Sequence, residues 1–172
     1  MQSKRLSFVQ VGPEHAMDFE RVMSEPEMGR YTDVPCEPTE KQALAFVGWM
    51  QRLNSSGRGA AWAISYQQKV IGFIRLNKIE KRNSIAVIGF ELAKSHWGLG
   101  LASEALKMVV SHCHHDLGLL RLEATVSDGN TASARTLEKA GFLKEGTQRS
   151  KFLHRNQRCD VLLFGRLATD PI

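Results

Sequence analysis

Residues 88–103 read Ile-Gly-Phe-Glu-Leu-Ala-Lys-Ser-His-Trp-Gly-Leu-Gly-Leu-Ala-Ser. A strand-like run passes through a glycine-spaced turn into a helix, whose apolar face carries Ala102, Ala105, Leu106, Val109, Val110 and Cys113. Gly98 and Gly100 accept dihedrals closed to other residues and leave the backbone bare to a ligand. The first N–H groups of a helix lack intrahelical partners and sit at its positive end, where phosphate binds well. A tight strand-to-helix connection uses the same glycines, so the turn alone fixes no ligand. A Walker A loop needs Gly-Lys-Ser/Thr, which is missing. A dinucleotide fingerprint needs a third glycine at position 103, which is Ser103.

Upstream, Ile85 to Leu92 reads as a strand, reached from Val70 to Ile79 through a turn at Lys81-Arg82-Asn83. Trp62, Ile64 and Tyr66 alternate before a turn at Gln67-Gln68-Lys69. Thr39 with Gln42 forms a capping-box pattern ahead of Ala43, Phe46, Val47 and Met50 at helical spacing, and Asn54-Ser55-Ser56-Gly57 ends that helix. Leu6 to Val11 is a first strand, and Pro13 opens a helix with Ala16, Phe19 and Met23 on one face. Downstream, Leu120, Leu122, Ala124 and Val126 alternate as a strand, and Thr131 to Ala140 is a short helix closed by Gly141. Leu143 to Phe152 and Cys159 to Leu167 pair around Arg155-Asn156-Gln157. The order βααβββαβαββ predicts an α+β fold on a mixed sheet, in one domain over residues 1–172.

Two stretches carry a resemblance. Ile88 to Leu92 followed by His96 to Ala105 resembles the fourth strand and pyrophosphate loop of the GNAT superfamily, in the branch of the ribosomal-protein alanine N-acetyltransferases. The superfamily pattern Gln/Arg-x-x-Gly-x-Gly/Ala falls on Trp97, Gly100 and Ala102, with the Trp usual in that branch. Asn130 to Phe142 resembles the second block, Asn-x-x-Ser ending in Glu-Lys-x-Gly-Phe, and Asp160 before a last apolar strand fits as well.

The resemblance implies a mostly antiparallel, seven-stranded mixed sheet with about four helices, split between strands four and five. It implies acetyl-CoA as co-substrate, its pantetheine arm entering the split like an added strand. The backbones of Leu92 and Ala93 would bond that arm, and the N–H groups of Gly98, Leu99, Gly100, Leu101, Ala102 and Ser103, after Trp97, would hold the pyrophosphate. Asn130 and Ser133 would meet the cofactor from the second block. The activity implied is acetyl transfer to a primary amine by direct attack in a ternary complex, the amine being a protein or peptide α-amine or a small molecule. A non-catalytic acetyl-CoA-binding or sensing module of the same fold is the alternative.

Glu91 is the candidate base: a carboxylate in an apolar strand needs a reason, and desolvation would make it a better proton acceptor in the working range. The competing reading puts it at an exposed strand end beside a lysine. Ser133 is the candidate partner of the leaving thiolate, with a plain helix-capping serine as the alternative. Many superfamily members place a tyrosine four residues before the block's glycine; here that residue is Leu137. Direct attack needs no enzyme nucleophile, and Cys113 reads as core. His112-Cys113-His114-His115 has no partners at zinc spacing and reads as a solvated helix end, so no metal is expected. His96 faces the acceptor or packs beside Trp97; Tyr31 and Trp49 belong to the cleft region or to the core.

Net charge of +5 over 172 residues favours anionic partners, with Arg149, Lys151, His154, Arg155 and Arg158 the one dense basic stretch. No compact basic stripe suggests nucleic acid. No apolar run approaches the roughly 20 residues that span a bilayer. Three cysteines at unrelated spacings fit a reducing compartment, and the N-terminus lacks a signal-peptide core. A cytoplasmic protein is expected, monomeric or homodimeric, that takes neither nucleic acid nor membrane as partner.

Overall fold

A computed structural model describes residue 1 and residues 3–171. Its strands are β1 (Leu6–Gln10), β2 (Ala60–Tyr66), β3 (Lys69–Glu80), β4 (Ile85–Leu92), β5 (Arg121–Ser127), β6 (Leu143–His154) and β7 (Gln157–Leu167). Its helices are α1 (Ala16–Val22), α2 (Glu40–Ser56), α3 (Leu101–His115) and α4 (Thr131–Lys139), with short 3-10 turns at Pro13–His15, Pro26–Gly29 and Lys94–His96. The strands form one sheet in the order β1-β2-β3-β4-β5-β7-β6. Every neighbour is antiparallel except β4 and β5. The α+β plan and the mixed sheet are those expected.

Local chemistry explains the joints. The Thr39 hydroxyl accepts from Gln42 N–H while Gln42 Oε1 accepts from Thr39 N–H (2.9 Å), so the capping box at the head of α2 is complete. Two residues of positive φ close two of the hairpins: Gln67 (49°) and Gln68 (63°) between β2 and β3, Arg155 (47°) and Asn156 (63°) between β6 and β7. Such turns match the twist of the flanking strands. Lys69 and Gln157, read as turn residues from sequence, are already paired in their strands.

The sheet is covered on both faces. Leu101, Ala105, Leu106, Val109, Val110 and Cys113 of α3 pack with Ala86, Ile88, Leu92, Leu122, Ala124 and Val126. On the other face Phe19, Val22, Ala43, Val47 and Met50 of α1 and α2 cover Ala61, Ala63 and Phe73. Because strand side chains alternate, Val87, Gly89 and Glu91 of β4 turn toward α1 and α2. One alternation failed. Leu120, expected beside Leu122, is 63% exposed. The N–H groups of Leu120 and Arg121 both bond Ser84 O, so the pleat begins only at Arg121 and Leu119 takes the inward place.

Between β4 and β5 the pairing covers only Ile85–Val87 against Arg121–Glu123. Past that point the two strands part, which opens the split the resemblance implies.

Burial pushes the Cys113 thiol up to about 12, and only a thiolate is readily alkylated. Native protein treated with iodoacetamide near pH 8 should therefore be labelled at Cys36 and Cys159, both partly exposed, with Cys113 labelled only after unfolding. Peptide mass spectrometry reads the sites; equal labelling of all three in the native state would contradict this packing.

Candidate active site

Gly98 (φ 76°) and Gly100 (φ 75°) both adopt the left-handed conformation, and Gly100 caps α3 without a side-chain bond. The first helical bond runs from Glu104 N–H to Gly100 O (3.0 Å). Among the described residues nothing accepts from the N–H groups of Gly98 through Ser103. Six successive donors thus lie bare at the positive end of a 15-residue helix. A Cβ at Gly98 would meet nothing within 4 Å, so glycine serves conformation there and leaves the space before the loop clear. Leu101 is buried and anchors the turn from below.

The loop has a brace that sequence reading missed. Arg5 Nε bonds Glu104 Oε2 (2.7 Å), Arg5 Nη1 bonds Leu99 O (3.3 Å), and Ser3 Oγ donates to Glu104 Oε1 (2.6 Å). Partial burial is the largest single effect on Glu104 and acts upward. The Ser3 and Arg5 hydrogen bonds together outweigh it and hold the carboxyl below its ordinary value. These residues lie about a hundred positions apart in sequence, where no local pattern links them.

Ala93 N–H donates to Ile71 O (2.8 Å) and Ala93 O accepts from His96 N–H (2.9 Å). Main-chain groups alternate sides along an antiparallel strand, so those of Phe90 and Leu92 turn away from β3 toward the split. The expectation for Ala93 needs amending: its backbone is already engaged, and Phe90 stands in the position sequence reading gave to it. Trp97 Nε1 donates to Leu92 O (2.7 Å), tying the loop to the rim of the split.

Glu91 is buried, as expected of a carboxylate in an apolar strand, but it is neither alone nor beside a lysine. It forms an ion pair with Arg75 on β3, each side chain under 10% exposed. Phe46 and Trp49 of α2 lie over the guanidinium, with ring centroids 5.4 and 5.6 Å from its carbon. Gly89 faces the same cluster, where a Cβ would crowd Asn77 Nδ2 at 3.1 Å and touch Arg75 Nη2 at 3.5 Å. Arg75 Nε, Asn77 Oδ1 and Glu91 Oε1 are buried with no partner among the described residues. The signal for Arg75 was a charge inside the apolar run Val70 to Ile79.

Ser133 stands in the first turn of α4, half-buried. Asn130, not Ser133, is the cap: its Oδ1 accepts Ser133 N–H (3.2 Å). That commits the Asn130 carbonyl and leaves its amide nitrogen as the group facing outward from the cap. The Ser133 hydroxyl makes no hydrogen bond among the described residues. Leu137 is core. His96 packs edge-on to Tyr66 at 6.1 Å, with Nδ1 near Ser95 Oγ. His112, His114 and His115 go to separate partners: Asp116, Leu119 O and Ser111 O. Tyr31 lies against Gly129, and Ser127 Oγ donates to its carbonyl (2.8 Å).

A sheet parted between its fourth and fifth strands, with bare N–H groups heading the next helix, defines an acyl-CoA transferase architecture. The acetyltransferase (GNAT) domain profile matches residues 5–143. The protein belongs to the GNAT acetyltransferase family and is by class an acetyl-CoA-dependent acyltransferase. It is 30% identical over 169 residues to N-acetyltransferase p20 of Bacillus licheniformis, covering 97% of this chain and 95% of that one. It is also 30% identical over 115 residues to the ribosomal-protein-serine acetyltransferase of Escherichia coli, covering 67% and 64%. The ribosomal alpha-N-protein acetyltransferase RimL, solved with coenzyme A, shares the fold with a TM-score of 0.90 at 21% identity, over 96% of this chain and 95% of that chain. These relatives agree with the ribosomal-protein branch.

Breaking a buried ion pair on one side strands the other charge, at a cost of about 3–5 kcal/mol. Arg75→Met should lose that much in urea unfolding, and Arg75→Met with Glu91→Leu should recover most of it. A single variant as stable as the double would contradict the burial described.

Proposed function

We propose that this protein moves an acetyl group from acetyl-CoA to a primary amine, the acceptor being a protein or peptide α-amine or a small amine. The observation that carries the reading is the row of six unpartnered N–H groups from Gly98 to Ser103, opening beside the parted strands. Such a row at a helix N-terminus suits a pyrophosphate. The Leu92 N–H and the main-chain groups of Phe90 are free to bond the pantetheine arm, which then lies along β4 as an added strand, while Leu92 O is held by the Trp97 indole. The amide of Asn130 is at hand on the opposite limb.

Transfer is direct. The amine nitrogen attacks the thioester carbonyl, the carbon–sulfur bond breaks as the new carbon–nitrogen bond is kept, and the proton lost from the nitrogen ends on the departing thiolate, so that coenzyme A leaves as the thiol. Glu91 Oε1 is the atom available to take the ammonium proton, directly or through water, and Arg75 fixes the carboxylate that carries it. The Ser133 hydroxyl, spared from capping by Asn130, is free to hydrogen-bond the departing sulfur.

Thermal-shift titration with acetyl-CoA, followed by thiol release over an amine panel, tests the reading. Acetyl-CoA at a hundredfold excess over Kd should stabilise the protein by about 2.7 kcal/mol. Gly100→Glu should abolish that shift. Glu91→Gln should keep it and slow transfer near neutral pH by about a hundredfold, and Ser133→Ala should lower kcat with KM for acetyl-CoA little changed. No shift with acetyl-CoA sinks the reading. A shift without turnover on any amine favours a sensing module instead.

A further inference from the structure

A cleft of about 220 Å³ opens where β5 ends. Its register fixes its relation to the candidate base. Val87 pairs with Glu123, so Glu91 and Ser127 each lie four residues beyond the last pair, on facing limbs of the split. Ser127 lines the cleft, and side-chain alternation turns both residues toward the same sheet face. Ser127 Oγ holds the Tyr31 carbonyl, which draws residues 30–31 over the strand end. Tyr31 rests on Gly129, one residue ahead of the Asn130 cap that presents Ser133. The far wall is the tip of the β6–β7 hairpin, with Phe152, His154 and Arg155.

The walls are unbalanced in charge. Arg30 and Arg155 enter from separate elements, and among the described residues neither has a carboxylate at ion-pair distance. Arg30 lies over the Tyr31 ring, 5.3 Å from its centroid, and the Arg155 guanidinium reaches to within 3.9 Å of where a Gly29 Cβ would sit. His154 stacks on Phe152 with ring centroids 5.6 Å apart, and its Nε2 is buried with no partner among the described residues. The one acidic wall residue, Asp128, accepts from Gly129 N–H (3.0 Å). Arg149, Lys151 and Arg158 add positive charge along the same hairpin.

We infer that this cleft selects the acceptor, and that it takes an amine whose own molecule bears a carboxylate within a residue or two of the nitrogen. Arg30 and Arg155 grip the carboxylate by charge-assisted hydrogen bonds, the strong kind for a guanidinium. The orphaned His154 Nε2 supplies a further hydrogen bond, and the amine points across the split to Glu91. At about 220 Å³ the cleft falls below the roughly 300 Å³ at which pockets for drug-sized ligands begin, so it fits a single residue. The carboxylate comes either from a free amino acid or from an acidic side chain near a peptide N-terminus.

The inference rests on the acetyl-transfer reading, and the test separates the two. Thiol release is measured with L-serine against L-serinamide, and with Ser-Asp-Glu-amide against Ser-Lys-Lys-amide. The anionic member of at least one pair should show about tenfold higher kcat/KM; the first pair reports the amino-acid source and the second the peptide source. The double variant Arg30→Glu with Arg155→Glu should reverse the order within that pair, chiefly through KM, a gain that mere loss of structure would not produce. His154→Phe should raise KM for the anionic acceptor while keeping its stacking on Phe152. Transfer to amines without discrimination, or a charge-reversed variant that keeps the original preference, overturns the inference and spares acetyl transfer. No acetyl-CoA shift and no transfer to any amine overturns both.

Discussion

The parting of β4 and β5 after three residue pairs governs the rest of the molecule. A parallel pair that stops early leaves main-chain donors and acceptors of both strands without a ladder, and such groups are costly to bury unpaired. The protein meets that demand in part by itself, because the Trp97 indole satisfies Leu92 O. The same indole draws the glycine turn against the rim, so the bare N–H groups of Gly98 to Ser103 and the open edge of β4 lie side by side. One geometric event thus places a row of N–H donors, unpartnered among the described residues, next to an unpaired strand edge. It also sets Glu91 and Ser127 at equal depth on opposite limbs.

The second constraint is the buried pair between Arg75 and Glu91. Two desolvated charges add little net stability, and well-packed apolar residues often do as well. What the pair supplies is position. A guanidinium stacked under Phe46 and Trp49 has few orientations open to it, and it holds one carboxylate oxygen while leaving the other unpartnered. The Arg5–Glu104 contact does similar work at the loop, joining the residue just before β1 to the head of α3. The Arg5–Glu104 pair links segments 99 residues apart, whereas Arg75 and Glu91, 16 residues apart, join the neighbouring strands β3 and β4.

Much of this was legible in the chain. Alternation, capping and turn chemistry located all seven strands and four helices, because those signals are local. The register at Leu120 went astray because the pleat is set by Ser84 O, which accepts from both Leu120 and Arg121. Arg75, Arg5 and Glu104 escaped notice for the same reason: their meaning lies in partners that only the folded sheet brings near. The engagement of Ala93 was hidden too, since which main-chain groups face a gap depends on strand phase. Asn130 was read as a ligand contact, and the structure gives it the role of helix cap, which spacing alone does not reveal.

The central claim is that the loop and the open edge of β4 together hold the co-substrate. Residue-resolved amide hydrogen exchange, with and without acetyl-CoA, tests it most directly, because it reads the very donors in question. The account predicts slowed exchange at Gly98 through Ser103 and at Leu92, with Ala93 and the far hairpin between β2 and β3 unchanged. Binding of acetyl-CoA with no protection across Gly98 to Ser103, or with protection centred elsewhere, would contradict it.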